Sequence, residues 1–259
     1  MAPIIRKKEI LLALSDRGML SVSELAIHLN VSEMTIRRDI TKLEEEGLVA
    51  KHQGVIELLE DNYLNKLAYE PPRYQKETLF QDEKAYIASL AVEEVKDDMI
   101  IYLDAGTTTL EIAKQLAFHK SIRNLTIITN DFVIAMLLIQ HSDYTLYHTG
   151  GRIDRENQSC VGEQAASSLS RLHITKAFVS SSSWDSSGIT TPSEAKIAVK
   201  GAIIDSSRQS YLVADSSKYN SVAMFKVCRL SVFDKIFTDK NISEKAVEDI
   251  QMQGIELVN

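Results

Sequence analysis

Two short amphipathic helical patterns stand almost back to back in residues 21–54, each with its own start signal, and that spacing leaves few folds open. Ser21 and Glu24 have the Ser-x-x-Glu spacing of a capping box, which satisfies the exposed N–H groups of a helix start. Val22, Leu25, Ala26 and Leu29 then recur at helical spacing. Asn30-Val31 breaks the pattern and Ser32 is placed to cap a second helix. In that helix Ile36, Ile40 and Leu43 share the inward face. Steps of about 100° per residue put Met34, Thr35, Arg38, Thr41 and Lys42 on the opposite face. Arg37 stands in i,i+4 register with Glu33, so part of its charge is committed to a helix pair. Gly47 is a C-terminal stop. Residues 48–58 read as a hairpin tipped by His52-Gln53-Gly54, with Lys51 and His52 placed to touch backbone phosphate. A unit of this kind presents its second helix to the major groove of DNA.

Charge alone does not decide for DNA. Residues 1–60 carry eight Lys or Arg and ten Asp or Glu, a net charge of −2. DNA binding therefore needs the basic groups to converge on one surface while the acids face elsewhere. Two such helices also occur in enzymes and in protein-binding modules. The residues that separate these readings form a longer pattern, Ser-Val-x-Glu-Leu-Ala-x-x-Leu-x-Val-Ser-x-x-Thr-Ile-Arg-Arg-Asp-Ile-x-x-Leu-Glu. It resembles the N-terminal signature of the DeoR/GlpR-type bacterial repressors. The expected DNA contacts are Ser32, Met34, Thr35, Arg37, Arg38, Lys42, Lys51 and His52. The family usually continues with His-Gly-Gly in the wing, where this chain has His52-Gln53-Gly54.

At 259 residues the chain suits a small domain plus one larger domain, and 44% hydrophobic residues suffice for a core. The expected boundaries are a winged helix-turn-helix over 1–58, a linker over 59–82 marked by Pro71-Pro72, and an α/β domain over 83–259. No apolar run approaches the roughly 20 residues that span a bilayer. The N-terminus lacks the pattern of a signal peptide. Cys160 and Cys228 sit in unrelated contexts, and no Cys/His cluster has metal-ligand spacing. The expectation is a cytoplasmic protein with no metal, no cofactor and no membrane partner. A net charge of −7 argues against nonspecific coating of nucleic acid.

From Glu83 onward strand-like runs alternate with helical stretches. The expected strands are 99–103, 125–129, 145–148, 177–180, 211–214, 235–237 and 255–258. Helices are expected over 83–95, 108–117, 132–140, 162–172, 193–205 and 243–253. Alternation of this kind predicts a mostly parallel sheet, whose ligands sit beyond the carboxyl ends of the strands. The polar turns fall there. Asp104-Ala-Gly-Thr-Thr-Thr109 follows a strand and opens a helix, which makes Gly106, Thr107 and Thr108 a candidate anion cradle. Asn130, Gly150-Gly151, Glu194 with Lys196, and Asp215-Ser-Ser-Lys218 come from neighbouring loops. Together they suit a phosphorylated polyol: N–H groups and Lys218 for phosphate, carboxylates for hydroxyls. The Gly-Lys-Thr/Ser element of a nucleotide-binding loop is missing.

These motifs also resemble the effector domain of the same repressors, so the resemblance spans nearly the whole chain. It implies a fold similar to ribose-5-phosphate isomerase and the CoA transferases, and a phosphorylated sugar or sugar-acid effector docking on 104–108 with Lys218 and Gly150-Gly151 nearby. It also implies a repressor of a carbohydrate-utilisation operon that works as a homo-oligomer on an operator. Ser180-Ser-Ser-Ser-Trp-Asp185 departs from the glycine-rich strand end of many members, and Trp184 is expected in the pocket or a subunit contact. The alternative is a sugar-phosphate isomerase-like enzyme, with acid and base groups from Asp104, Glu194, Asp215 and Lys218. A third reading leaves the second domain to oligomerisation or a partner protein.

Overall fold

The computed structural model describes residues 3–45, 48–52, 54–59, 70–119 and 121–259. The expectations placed on Gly47, Gln53 and the linker stretch 60–69 lie outside those residues. The chain divides into two compact units, Met1–Leu67 and Ala68–Asn259.

In the first unit, helices α1 (Pro3–Arg17), α2 (Val22–His28) and α3 (Glu33–Glu45) pack with strands β1 (Leu20–Ser21), β2 (Val49–His52) and β3 (Val55–Leu58). The strands form an antiparallel sheet ordered β1-β3-β2. Ser21 and Glu24 close a full capping box at α2. Ser32 Oγ accepts from the Thr35 amide at 3.3 Å at the start of α3. Ile10, Leu14, Leu25, Ile36, Leu43 and Ile56 are fully buried in one core. Each such side chain contributes about 2 kcal/mol relative to exposure. The sequence pattern does not flag α1, which has no acidic residue in its first turn.

In the second unit, strands β4 (Ile100–Leu103), β5 (Thr126–Thr129), β6 (Thr145–His148), β9 (Ile174–Ser180), β12 (Ser207–Val213), β14 (Lys235–Phe237) and β15 (Glu256–Val258) form a seven-stranded sheet ordered β15-β14-β12-β9-β4-β5-β6. All its neighbouring pairs are parallel. The seven runs read as strands in the sequence are these seven, with ends shifted by at most four residues. Alternate side chains enter opposite cores, as a sheet covered on both faces requires. Ile101, Leu103, Phe178, Tyr211 and Val213 meet α5 (Gln81–Val92), α6 (Thr107–Ala117) and α7 (Phe132–His141). Tyr102, Ala177, Val179 and Leu212 meet α8 (Glu163–Leu169), α9 (Ala195–Asp205) and α10 (Glu244–Gln251).

Two small sheets have no counterpart in the sequence pattern. One is the hairpin β7 (Arg152–Asp154) with β8 (Ser159–Val161); the other is ordered β10 (Ser183–Asp185), β11 (Gly188–Thr191), β13 (Phe225–Arg229). Their three- to five-residue strands are too short for period-two alternation to register. Trp184 lies on β10, wholly buried, with Tyr219 edge-on at 4.8 Å. It therefore lines neither a pocket nor an exposed contact of this unit, because β10 folds its ring into the core.

Residues 70–82 also differ from the expected connector. Helix α4 (Arg73–Glu77) starts directly after Pro71-Pro72, and Arg73 is only 4% exposed. Pro72 stands at the N-cap, where its missing N–H costs nothing. Among the described residues no helix is long and apolar enough to cross a membrane.

Candidate functional site

On the first unit the outward face of α3 is set by burial of Ile36, Asp39, Ile40 and Leu43. That leaves Ser32, Met34, Arg37, Arg38 and Lys42 exposed and Thr35 half-buried. Met34 is 80% exposed, a large apolar side chain with no packing role. Arg37 pairs with Glu33 at 3.0 Å, as its spacing predicts. The Arg38 and Lys42 side chains stay in solvent on the same helix. In the wing, Lys51 is exposed and His52 Nε2 lies 2.9 Å from Glu57 Oε1. The expectation did not include a partner for His52. Nor does the sequence reading single out Asp39, 1% exposed and ion-paired with buried Arg6. The signal was present: Asp39 falls inside the stripe Ile36–Ile40–Leu43.

On the second unit the strand ends β4, β5 and β9 are tied by a buried polar network. Asp104, 2% exposed, accepts from the amide of Ser180 at 3.1 Å and its hydroxyl at 3.0 Å, and pairs with Lys200. Lys200 Nζ also donates to the Ser180 carbonyl at 2.7 Å. Asn130, 3% exposed, accepts from Tyr102 Oη and the Ala105 amide, each at 3.0 Å. Its amide donates to the Cys160 carbonyl at 2.9 Å. Asp131 caps α7 through the amides of Val133 and Ile134, accepts from the Gly106 amide at 3.2 Å, and pairs with Arg73.

These bonds change the expected roles. Asp104 and Asn130 are fully engaged clamps rather than groups open to a sugar. The amides of Ala105 and Gly106 are taken by Asn130 and Asp131, so they do not form the anion cradle. What remains is the first turn of α6, which has no side-chain cap. The leading N–H groups of a helix lack intrahelical partners. Thr107 is 6% exposed there, and the buried hydroxyl of Thr108 makes no hydrogen bond. Gly106 permits this approach: a Cβ on it would lie 2.8 Å from Ser180 Cβ.

Two lysines, Lys76 and Lys84, stand on α4 and α5, helices that pack against α6. Lys218 pairs with the buried Asp215 at 3.2 Å. Asp215 is held below the usual carboxylate range, against the upward pull of burial, chiefly by Lys218. Lys84, 3% exposed, donates to the carbonyls of Lys76 and Leu79. Burial pushes its ammonium down to about 8; Lys218 and Lys76 add to the shift, while Asp215 and Glu111 of α6 oppose it. Lys76 is lowered to about 8 as well, first by burial and then by Lys196 and Lys218, against Glu70. Lys76 therefore feels the charges of Lys196 and Lys218, and Lys84 those of Lys218 and Lys76.

Gly150 and Gly151 adopt φ of 65° and 114°, and a Cβ on Gly151 would meet Ala165 at 3.0 Å, so glycine is required there. The turn places His148, stacked on Phe132 at 4.5 Å, beside Asp131; burial lowers its pKa. Glu194 is exposed and its side chain makes no ion pair with the other site residues among those described. Sequence spacing missed Arg73, Lys76, Lys84 and Lys200. For two of them a signal existed: Lys84 precedes Ile87, Ala88 and Ala91, and Lys200 sits between Val199 and Ile203, so each interrupts an apolar stripe. Among the described residues no group of three or more His, Cys, Asp or Glu could hold a metal ion. An open surface cleft lined by Ser89, Lys96, Gln115 and His119 lies beyond the amino ends of β4 and β5, away from these loops.

Comparison with known proteins finds one family match within each unit. A DeoR-like helix-turn-helix domain matches residues 6–62, and a DeoR C-terminal sensor domain matches residues 80–240. The chain belongs to the DeoR family of transcriptional regulators. Within the DeoR family it is 45% identical over 258 residues to the uncharacterized HTH-type transcriptional regulator YgbI of Escherichia coli K12, covering 100% of this chain and 98% of that one. It is 28% identical over 235 residues to the glycerol-3-phosphate regulon repressor of the same organism, covering 90% of each. Among solved structures it is similar to ribose 5-phosphate isomerase A of Methanocaldococcus jannaschii, with TM-score 0.39 and 17% identity over 54% of each chain. The protein is thus a DNA-binding regulator with a winged helix-turn-helix and an α/β sensor domain.

Proposed function

We propose that this DeoR-family regulator is a repressor of a carbohydrate-utilisation operon that releases its operator when a phosphorylated sugar or sugar acid binds the sensor unit. The observation that carries the reading is the uncapped first turn of α6, with the unpartnered Thr108 hydroxyl, on a helix packed against those that bear Lys76 and Lys84. A phosphate dianion takes helix N–H groups and ammonium donors together. The glycerol-3-phosphate regulon repressor, a relative matched over 90% of its length, is named for the regulon of a phosphorylated polyol.

In this reading Thr107, Thr108, Lys218, Lys84, Lys76 and Lys196 contact the effector. Asp104, Asn130, Asp131 and Lys200 hold the strand ends beneath it, and Gly106 and Gly150-Gly151 shape the loops. Asp104 and Asp215 are each buried in an ion pair, which suits a receptor better than acid–base catalysis. Ser32, Met34, Thr35, Arg38 and Lys42 would meet the major groove, with Arg37, Lys51 and His52 at the flanking backbone. Paired half-sites call for a homo-oligomer. Titration of the purified chain with glycerol 3-phosphate and a set of pentose and hexose phosphates tests the sensor assignment. Saturable binding of at least one, lost in Lys218→Ala, is expected; binding that Lys218→Ala leaves unchanged removes that residue from the site.

A further inference from the structure

Glu70 differs from the other acids around the sensor site. Asp104, Asp131 and Asp215 sit at strand ends, and the first two also accept backbone amides. Glu70 is held by side-chain ammonium groups: Lys76 Nζ donates to Oε1 at 2.6 Å, and Lys196 pairs with Oε2. Among the described residues no backbone amide donates to it. Its side chain is 11% exposed, and that of Lys196 is 13%. Burial would raise its pKa, yet Lys196 and Lys76 hold it at about 2, so it is fully charged. Lys76 also bonds Asn157 Oδ1 at 2.6 Å, which keeps the ammonium in place if Glu70 leaves. Glu70 is the third residue of the sensor unit, just past the boundary at Leu67 where the DNA-binding unit ends.

From this geometry we infer that Glu70 is an internal anion occupying the place of an effector's phosphate between Lys76 and Lys196. The inference rests on the sugar-phosphate reading above and adds how that site is regulated. A phosphate carries about −1.5 to −2 charge at pH 7 and three strong acceptor oxygens, against one charge and two oxygens for the carboxylate. It displaces Glu70 from both ammonium groups. Displacement frees Glu70 at the start of the sensor unit, and that release is the step that reports binding to the N-terminal unit. The free protein is thereby held in one state by its own side chain, and effector affinity is reduced by the fraction of time Glu70 stays bound.

The test is calorimetric titration of the full chain and of Glu70→Gln with inorganic phosphate, glycerol 3-phosphate and ribose 5-phosphate. Removing a competitor lowers Kd, by about tenfold if Glu70 is bound nine-tenths of the time. A merely structural role would raise it. The same variant is expected to hold operator DNA more weakly without any ligand. Equal or weaker phosphate binding by Glu70→Gln, with the wild type still binding, overturns the inference and leaves the sensor reading standing. No binding by either protein defeats the sensor reading, and the inference falls with it. If the variant does not fold, the wild type supplies the readout. A carbodiimide cross-link between Glu70 and Lys76 or Lys196, followed by peptide mass spectrometry, is expected to drop at least fivefold at saturating ligand. An undiminished cross-link overturns the inference.

Discussion

The two units place their functional groups in opposite ways. The DNA-binding unit buries its apolar stripe and turns Met34, Arg38 and Lys42 outward. The sensor unit buries its polar groups: Asp104, Asn130, Asp131, Lys200 and Asp215 are all 5% exposed or less. An outward face is fixed by local periodicity and tolerates single substitutions. A buried network is fixed by pairs far apart in sequence, such as Asp104 with Lys200, and each member holds the others.

The largest expected effects break a buried pair. Lys200→Met strands the Asp104 carboxylate, and Asp39→Ala removes the carboxylate that pairs with Arg6. Loss of one partner of a buried pair costs about 3–5 kcal/mol. Each substitution is expected to lower the unfolding transition of its own unit, followed by calorimetry, and to leave the other transition in place. A common shift of both transitions would remove the distinction between the units. Next, Gly106→Val forces the Ser180 side chain aside. Overpacking of about 1–3 kcal/mol and loss of phosphate binding are expected, with DNA binding retained. Arg38→Ala should weaken operator binding by about 1–3 kcal/mol if it reads a base, and leave both unfolding transitions unchanged. An altered sensor transition in that variant would break the comparison from the other side.

The smallest effect is on pH. Lys76 and Lys84 are held near 8, and the charged forms attract phosphate. Phosphate compounds stay dianionic above about pH 7. Affinity is therefore expected to fall several-fold between pH 7 and 9.5 as the two lysines lose protons. A flat profile over that range would place neither lysine at the ligand.

The contrast also explains what the sequence made legible. The capping box at Ser21 and Glu24, the inward face of α3 and all seven sheet strands follow from local pattern, because each depends on residues within one element. The loops at the strand ends were legible as positions. Their bonding was not, since Asn130 reaches Ala105 and Asp131 reaches Arg73 across distances no spacing rule spans. The Pro71-Pro72 pair marked an interruption, but nothing local distinguished a connector from a helix docked by Arg73. Lys84, Lys200 and Asp39 were readable as charged residues inside apolar stripes, which is the pattern a buried ion pair or a carbonyl-bound ammonium leaves.

The most direct measurement is binding of the full chain to the DNA upstream of its own gene, with and without glycerol 3-phosphate, pentose phosphates and hexose phosphates. The account predicts a specific complex that at least one phosphorylated compound weakens by tenfold or more, with no turnover of that compound. A complex left unchanged by every compound that binds the sensor unit would contradict it, as would conversion of one of them to product.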